Sequence, residues 1–178
     1  MTVLSLRTVP DPILRKKTRR IREFDSSIDS LIEDMIETMH AENGVGLAAN
    51  QVGIPLKLCV IGIPEEDEIR VLINPEIIVR KGERELEEGC LSIPGYRGKV
   101  NRSIEVRVRA QDRFGKVIRI KAENNLLAQA LEHEIDHLNG SLYVDRLVSG
   151  ESIWKLEEPT SDESDETESG GATKDSVR

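Results

Sequence analysis

The segment His133-Glu134-Ile135-Asp136-His137 constrains the fold of this 178-residue chain more than any other feature. Side chains four residues apart lie on one face of an α-helix, so a helix here would direct both imidazoles toward the same point, with Glu134 beside them. Two imidazoles and an adjacent carboxylate make up most of a hydrolytic metal site. The segment therefore predicts a helix that carries part of a metal centre.

Apolar residues at three- and four-residue spacing predict two helices. The first spans about residues 26–41 and is capped by Asp25 or Ser26. The second begins after Asn124 or Asn125, contains the His-Glu-x-x-His segment and ends before Gly140. The apolar stripe of the second helix consists of Leu127, Ala130, Leu131, Ile135 and Leu138.

Short β-branched runs and polar/apolar alternation predict strands between the two helices, at about 58–63, 71–73, 77–79, 104–109 and 116–121. Strands flanked by helices indicate an α+β fold. We expect antiparallel or mixed β-sheets packed around a central helix that carries the His-Glu-x-x-His segment.

Charge is distributed unevenly along the chain. Residues 157–178 contain eight acids and two bases, a net charge of −6, which leaves −2 of the total of −8 for the rest. The acidic segment has too few apolar residues to offset its ordering entropy, so we predict a single folded domain over 1–156 and a disordered tail over 157–178. A mildly acidic body has no electrostatic footprint for DNA or other nucleic acid.

Targeting and membrane signals are weak. No apolar run approaches the ~20 residues that span a bilayer, and the N-terminus lacks the apolar core of a signal peptide. The basic stretch 15–22 leaves a transit peptide as an alternative, but Asp11, Glu23 and Asp25 argue against it. We therefore expect a cytoplasmic protein without membrane association, whose two cysteines are free thiols or metal ligands rather than a disulfide.

A catalytic metal normally has three protein ligands and one open position. Cys90, in Glu88-Gly89-Cys90-Leu91-Ser92, is the best third candidate because thiolates bind borderline-soft divalent metals well. His40 lacks a supporting pattern and is interpreted as a surface residue. Cys59 lies in an apolar run and is interpreted as a core residue.

A third segment, Gly44-Val45-Gly46-Leu47-Ala48-Ala49-Asn50-Gln51, offers small residues for substrate approach and a side-chain amide for an oxyanion. Together the three segments resemble the signature motifs of the peptide deformylase family, in the same order. The resemblance runs from about Val3 to Leu147. It departs from the family at Glu132 and Asn43, where glutamine and an acid respectively are common.

This resemblance implies a hydrolase that removes formyl from the N-terminal formyl-methionine of new polypeptides and releases formate. It implies one divalent metal, natively Fe²⁺, for which Zn²⁺, Ni²⁺ or Co²⁺ can substitute. The expected partners are N-formylmethionyl chains near the ribosome, and the expected state is a monomer. The implied metal ligands are Cys90, His133 and His137, and the implied catalytic groups are Glu134, Gln51 and the backbone N–H of Leu91.

The resemblance also implies substrate contacts. The formyl site is framed by glycines, the methionine pocket is apolar, and an arginine lies near the entrance. A Glu88–Arg102 ion pair is expected to brace the Cys90 loop; Asp136 is expected to accept a hydrogen bond rather than act in catalysis. The implied substrate-binding residues are Gly44, Val45, Gly46, Arg97, Leu126 and Ala130, with His133 as a further wall of the methionine pocket and Gln129 at its edge.

Two other classes share the His-Glu-x-x-His segment. A zincin-type protease takes its third ligand downstream, and no histidine follows His137. A structural metal site is closed by four ligands, which would require Cys59 as the fourth.

Overall fold

A computed structural model describes residues 2–157 of the chain. Its two α-helices are α1 (Ser26–Ala41) and α2 (Leu126–Leu138), and single turns of 3-10 helix occur at Pro12–Arg15, Ala49–Val52 and Tyr143–Arg146. The predicted acidic tail lies outside the described residues, apart from Glu157. The strands are β1 (Gly46–Ala48), β2 (Leu58–Gly62), β3 (Ile69–Lys81), β4 (Arg84–Cys90), β5 (Ile93–Arg102), β6 (Glu105–Gln111), β7 (Val117–Glu123) and β8 (Ile153–Lys155).

The strands form two antiparallel sheets. One has five strands in the order β1-β2-β3-β6-β7, and the other has three in the order β4-β5-β8. The predicted α+β character and antiparallel pairing are confirmed. The apolar side of α2 packs on the five-stranded sheet, where Leu131 and Val108 share a fully buried cluster with Cys59. The stripe predicted for α2 is buried throughout.

Both helices begin at side-chain caps. The Asp25 carboxylate accepts hydrogen bonds from the backbone N–H groups of Ser27 (2.9 Å) and Ile28 (3.3 Å). The side-chain oxygen Oδ1 of Asn125 accepts a hydrogen bond from Ala128 N–H (2.9 Å). Each cap satisfies backbone donors that have no partner within the helix, which fixes where the helix starts. The α1 prediction is therefore confirmed, with Asp25 rather than Ser26 as the cap.

The strand predictions need two corrections. The runs 71–73 and 77–79 belong to one strand, β3, which continues past Pro75. Proline has no N–H to donate, and the pairing of β3 with β6 shifts register between Ile73 and Glu76, so an irregularity absorbs the proline. No strand was predicted over β4 and β5, which pair along most of their length and carry Cys90.

No helix within residues 2–157 is long and apolar enough to cross a membrane.

Candidate metal centre

Three potential metal-ligand atoms converge where the end of β4 meets α2. Cys90 Sγ lies 3.2 Å from His137 Nε2, which lies 3.1 Å from His133 Nε2, and all three atoms are within 4.8 Å of one another. Two nitrogen ligands bound tetrahedrally to zinc at about 2.0–2.1 Å lie roughly 3.3 Å apart. The three donors therefore fit a single divalent ion, and the helical spacing of the two histidines produces the convergence.

The two imidazoles differ in their electrostatics. Burial lowers the pKa of His137 well below its ordinary value, and the neighbouring His133 lowers it further, so His137 is a neutral donor. Burial acts in the same direction on His133, but contacts with Cys90 and Glu88 outweigh it and raise the pKa well above the usual range. The surroundings of His133 therefore favour a positive charge at this point, which is the charge that a metal ion would bring.

Hydrogen bonds hold the Cys90 sulfur in place. Sγ accepts from Ser92 N–H (3.4 Å) and from the Gln51 side-chain amide (3.6 Å), and that amide also donates to Ser92 Oγ (3.1 Å). The side-chain oxygen Oε1 of Gln51 accepts a hydrogen bond from Ala48 N–H at the end of β1 (2.9 Å). Gln51 thus joins the glycine-rich segment to the cysteine loop.

Glu134 lies beside the ligand cluster and is almost fully buried. Its Oε2 has no hydrogen-bond partner among the described residues, and burial raises the pKa of the carboxyl to about 7. A Cβ at Gly46 would lie 2.7 Å from Glu134 Cδ, so any larger residue there would displace the carboxylate. Gly46 is therefore needed for Glu134 to occupy this position, a contact that the sequence did not indicate.

The predicted contact between Glu88 and Arg102 is present as a two-pronged ion pair. Arg102 Nε donates to Glu88 Oε2 (3.0 Å) and Nη2 donates to Oε1 (2.6 Å), while the same carboxylate contacts His133 Nδ1. Burial would raise the pKa of Glu88, but hydrogen bonds from His133 and Arg102 hold it well below its ordinary value. Gln129 donates to Glu88 Oε2 (3.2 Å), and Asp136 accepts from Arg102, as expected.

A cleft of about 540 Å³ opens onto these groups. Twelve of the predicted site residues line it, a set that includes every predicted substrate-binding residue. Sequence reasoning missed Ile93, Pro94, Tyr96 and Leu156, which also line the cleft. Leu156 reaches it because β8 pairs with β5, and no local pattern signals that pairing. The predicted residues that line the cleft are Gly44, Val45, Gly46, Gln51, Cys90, Leu91, Arg97, Leu126, Ala130 and Glu134; His133 and Gln129 line it as well.

Two competing ligands are excluded by their positions. Cys59 is fully buried in β2, burial raises the pKa of its thiol well above the usual range, and the described ligand cluster does not contain it. His40 is exposed at the end of α1 and also lies outside the cluster. A closed site with Cys59 as its fourth ligand is therefore not formed.

Comparison with known proteins identifies the family. The polypeptide deformylase family model matches residues 3–152. The chain belongs to the peptide deformylase family. A peptide deformylase from Dehalococcoides mccartyi is 47% identical over 156 residues, which cover 88% of this chain and 93% of that relative. One from Caldanaerobacter subterraneus subsp. tengcongensis is 51% identical over 148 residues, covering 83% and 91% respectively.

Solved peptide deformylases have the same fold. The enzyme from Legionella pneumophila aligns with a TM-score of 0.79 at 48% identity, covering 82% of this chain and 86% of that one. The enzyme from Synechococcus elongatus, solved in complex with actinonin, aligns with a TM-score of 0.80 at 40% identity, covering 84% and 81%. The chain is therefore a metallohydrolase of the deformylase class, not a zincin-type protease or a structural metal module.

Proposed function

We propose that the cleft removes formyl from the N-terminal formyl-methionine of new polypeptides through a metal held by Cys90, His133 and His137. The observation that carries the proposal is the convergence of these three donors beside the buried carboxylate of Glu134, whose Oε2 has no hydrogen-bond partner within residues 2–157. A bound divalent ion would supply Lewis acidity, which lowers the pKa of water toward about 7.

Glu134 is the proton carrier of this proposal. Its carboxylate accepts a proton from water as the water oxygen attacks the formyl carbon, and it then gives that proton to the amine nitrogen as the C–N bond breaks. Formate and a free N-terminal amine are the products. A carboxylate with one unpaired oxygen and a pKa raised to about 7 by burial can both take and return a proton near neutral pH.

Two donors from the chain are assigned to the oxygen that becomes negative during attack, the Gln51 side-chain amide and the backbone N–H of Leu91. The amide proton that points toward Cys90 Sγ already faces the ligand cluster. Loss of one such donor typically lowers the rate by about 10²- to 10³-fold. Gln51→Ala should show a loss of this size with metal still bound, although Gln51 also helps to hold Cys90.

Substrate selection is assigned to the walls of the cleft. Gly44, Val45 and Gly46 frame the formyl site, where a Cβ at Gly44 would meet Leu91 Cδ1 at 3.0 Å. The rejection of an acetyl group, by steric clash of its methyl with this segment, is assigned to these residues. The methionine side chain is assigned to an apolar wall with Gln129 at its edge; the wall consists of Val45, Leu126, Ala130 and the His133 ring. The exposed Arg97 on β5 is assigned to contact with the peptide that follows the methionine.

The decisive assay compares formyl-Met-Ala-Ser with acetyl-Met-Ala-Ser for the wild type and Glu134→Ala. We expect formate from the formyl peptide alone, and its loss in the variant with metal retained. Cleavage at an internal peptide bond would indicate a protease, and absence of turnover with four-coordinate metal would indicate a structural site.

We propose Fe²⁺ as the native ion because the resemblance to the deformylase family implies it. Zn²⁺, Ni²⁺ or Co²⁺ can substitute, because two imidazoles and one thiolate suit all four ions. A thiolate beside Fe²⁺ is open to oxidation, so activity should decay in air and persist without oxygen. Anaerobically purified protein with no iron and no gain in activity would contradict this choice.

The cellular setting is part of the same proposal. We expect a cytoplasmic monomer in which residues 1–156 form one catalytic domain built around α2 and residues 157–178 form an acidic tail, acting on nascent chains near the ribosome. The tail carries a net charge of −6 and would repel RNA phosphate, so its deletion should not weaken ribosome binding. Weaker binding of the truncated protein in a ribosome pelleting assay would contradict this.

A further inference from the structure

Two acidic residues of α2 lie on the side of the helix away from the cleft, and each directly precedes a histidine of the motif. Glu132 accepts from Arg80 Nε (3.0 Å), and Asp136 accepts from Arg146 Nε (3.1 Å) and Nη2 (2.8 Å). Both arginines are about half exposed, at 49% and 44%, and both line the same surface pocket. The two pairs are therefore matched in burial and location.

The two pairs differ in what lies beyond the carboxylate. Among the described residues, Glu132 otherwise accepts hydrogen bonds only from Ser103, through the Ser103 backbone N–H (2.7 Å) and hydroxyl (3.1 Å). That network therefore ends in the short link between β5 and β6. Asp136 instead accepts from Arg102 Nη1 (2.6 Å). Arg102 in turn holds Glu88 with two hydrogen bonds, and Glu88 contacts His133 Nδ1.

Arg146 supplies the second guanidinium of this network and the hydrogen bond that Asp136 Oδ1 accepts. The two carboxylates, Asp136 and Glu88, are 7% and 5% exposed, and Arg102 is 1% exposed. Without Arg146, one buried guanidinium serves two buried carboxylates, and Asp136 Oδ1 loses its donor. A buried carboxylate without enough positive charge and hydrogen-bond donors around it is costly. The Arg102 guanidinium would therefore shift toward Asp136 and away from Glu88.

We propose that Arg146 is a positioning residue for the metal centre, acting through Asp136, Arg102 and Glu88 on the orientation of the His133 ring. Partners that orient a ligating histidine typically contribute 10- to 100-fold to metal affinity. Arg146 anchors such a partner from the surface, so its removal loosens the hold on the ion without touching substrate. This inference rests on the proposed role of His133 as a ligand.

The test compares Arg146→Met with Arg80→Met, the matched control that breaks an ion pair on the same helix without reaching a ligand. Each full-length protein is loaded with Ni²⁺, and release of the ion into excess chelator is followed together with the thermal midpoint. We expect Arg146→Met to release Ni²⁺ about 10-fold faster than the wild type. Arg80→Met should release it within about twofold of the wild type, whatever its thermal midpoint.

Arg146→Lys adds a rescue arm, because lysine keeps the charge but cannot make the two-pronged contact with Asp136. Its release rate should fall between those of the wild type and Arg146→Met. An Arg146→Met rate within twofold of the wild type, or equal acceleration by Arg80→Met, would overturn the proposal. Failure of the wild type to bind Ni²⁺ would instead contradict the proposed metal site, so the two failures are distinguishable.

Discussion

The two helices have similar caps and similar apolar stripes, but they differ in the kind of side chain that they bury: α1 buries mainly apolar side chains, and α2 also buries ionisable ones. In α1 the buried residues are Ile28, Ile32, Met35, Thr38 and Met39, and the single polar one, Thr38, donates to Asp34 O (2.6 Å) and accepts from Leu4 N–H (2.8 Å). In α2 the buried set includes four ionisable side chains, at Glu132, Glu134, Asp136 and His137.

The difference shows where the molecule accepts unfavourable burial in order to support chemistry. Buried polar groups cost free energy unless they are hydrogen-bonded, and the one polar residue that α1 buries completely, Thr38, is hydrogen-bonded, whereas Glu37 is half-buried. On α2, Glu132 and Asp136 have arginine partners, whereas one oxygen of Glu134 has no hydrogen-bond partner in the part of the chain that the structure describes. We therefore expect changes in α1 to alter stability and changes on the polar side of α2 to alter activity.

The largest expected effect is on catalysis, from Glu134→Gln. Removal of a positioned general base typically lowers kcat by about 10²- to 10⁴-fold, and loss of an unpaired buried charge should leave the thermal midpoint unchanged or raised. Glu37→Gln is the control on α1, since Glu37 Oε2 is also buried without a partner among the described residues. If both variants lost activity equally, measured as formate release with metal content checked, the contrast between the helices would fail.

The next effect is on stability, from Met35→Ala in α1. Met35 is fully buried, so truncation should lower the free energy of unfolding by about 2–5 kcal/mol, measured by urea denaturation. The kcat/KM of the folded fraction should stay within about threefold of the wild type. Leu131→Ala, the matched truncation on α2, should destabilise by a similar amount and also reduce activity, because it loosens the helix that carries His133 and Glu134. Unchanged activity in Leu131→Ala would weaken the comparison.

The smallest effect concerns the helix caps. Asn125→Ala should destabilise by about 1 kcal/mol at every pH, because an amide does not titrate. The pKa of Asp25 is lowered by the hydrogen bond that its carboxylate accepts from the Ser27 hydroxyl and by those from backbone N–H groups. The stabilisation from this cap is therefore present above the unfolded-state pKa and is lost as the pH falls through the folded-state pKa. The difference between the wild type and Asp25→Ala should therefore shrink as the pH falls from about 5 through the unfolded-state pKa of about 3.9 and down through the lower folded-state pKa. A pH-independent difference would contradict the assigned cap.

Local patterns predicted the parts of the fold that local physics determines. The bounds of α1 and the region of α2 follow from caps and apolar periodicity. β4 and β5 gave no clear pattern of alternating apolar and polar residues. The positions of β4 are half-buried or exposed, except for Glu88, which is buried. The pairing of β4 with β5 depends on contacts between these strands and with β8, which is distant in the sequence. The sequence pattern predicted two strands where β3 is one, because a proline such as Pro75 normally interrupts the hydrogen bonds of a sheet.

The site shows the same limit. The spacing of His133 and His137 predicts their convergence, and ligand chemistry favoured Cys90 as the third ligand. The family resemblance supplied the cleft residues. The contact of Gly46 with Glu134 and the path from Arg146 to His133 join segments far apart in the chain, so no spacing rule could reveal them.

The central claim is that α2 supplies two of three metal ligands and that β4 supplies the third through Cys90. X-ray absorption spectroscopy at the metal edge of anaerobically purified protein tests it most directly. We expect one sulfur and two imidazole nitrogens in the first coordination shell, with the sulfur lost in Cys90→Ser. A shell without sulfur, or one with two sulfurs, would contradict the account.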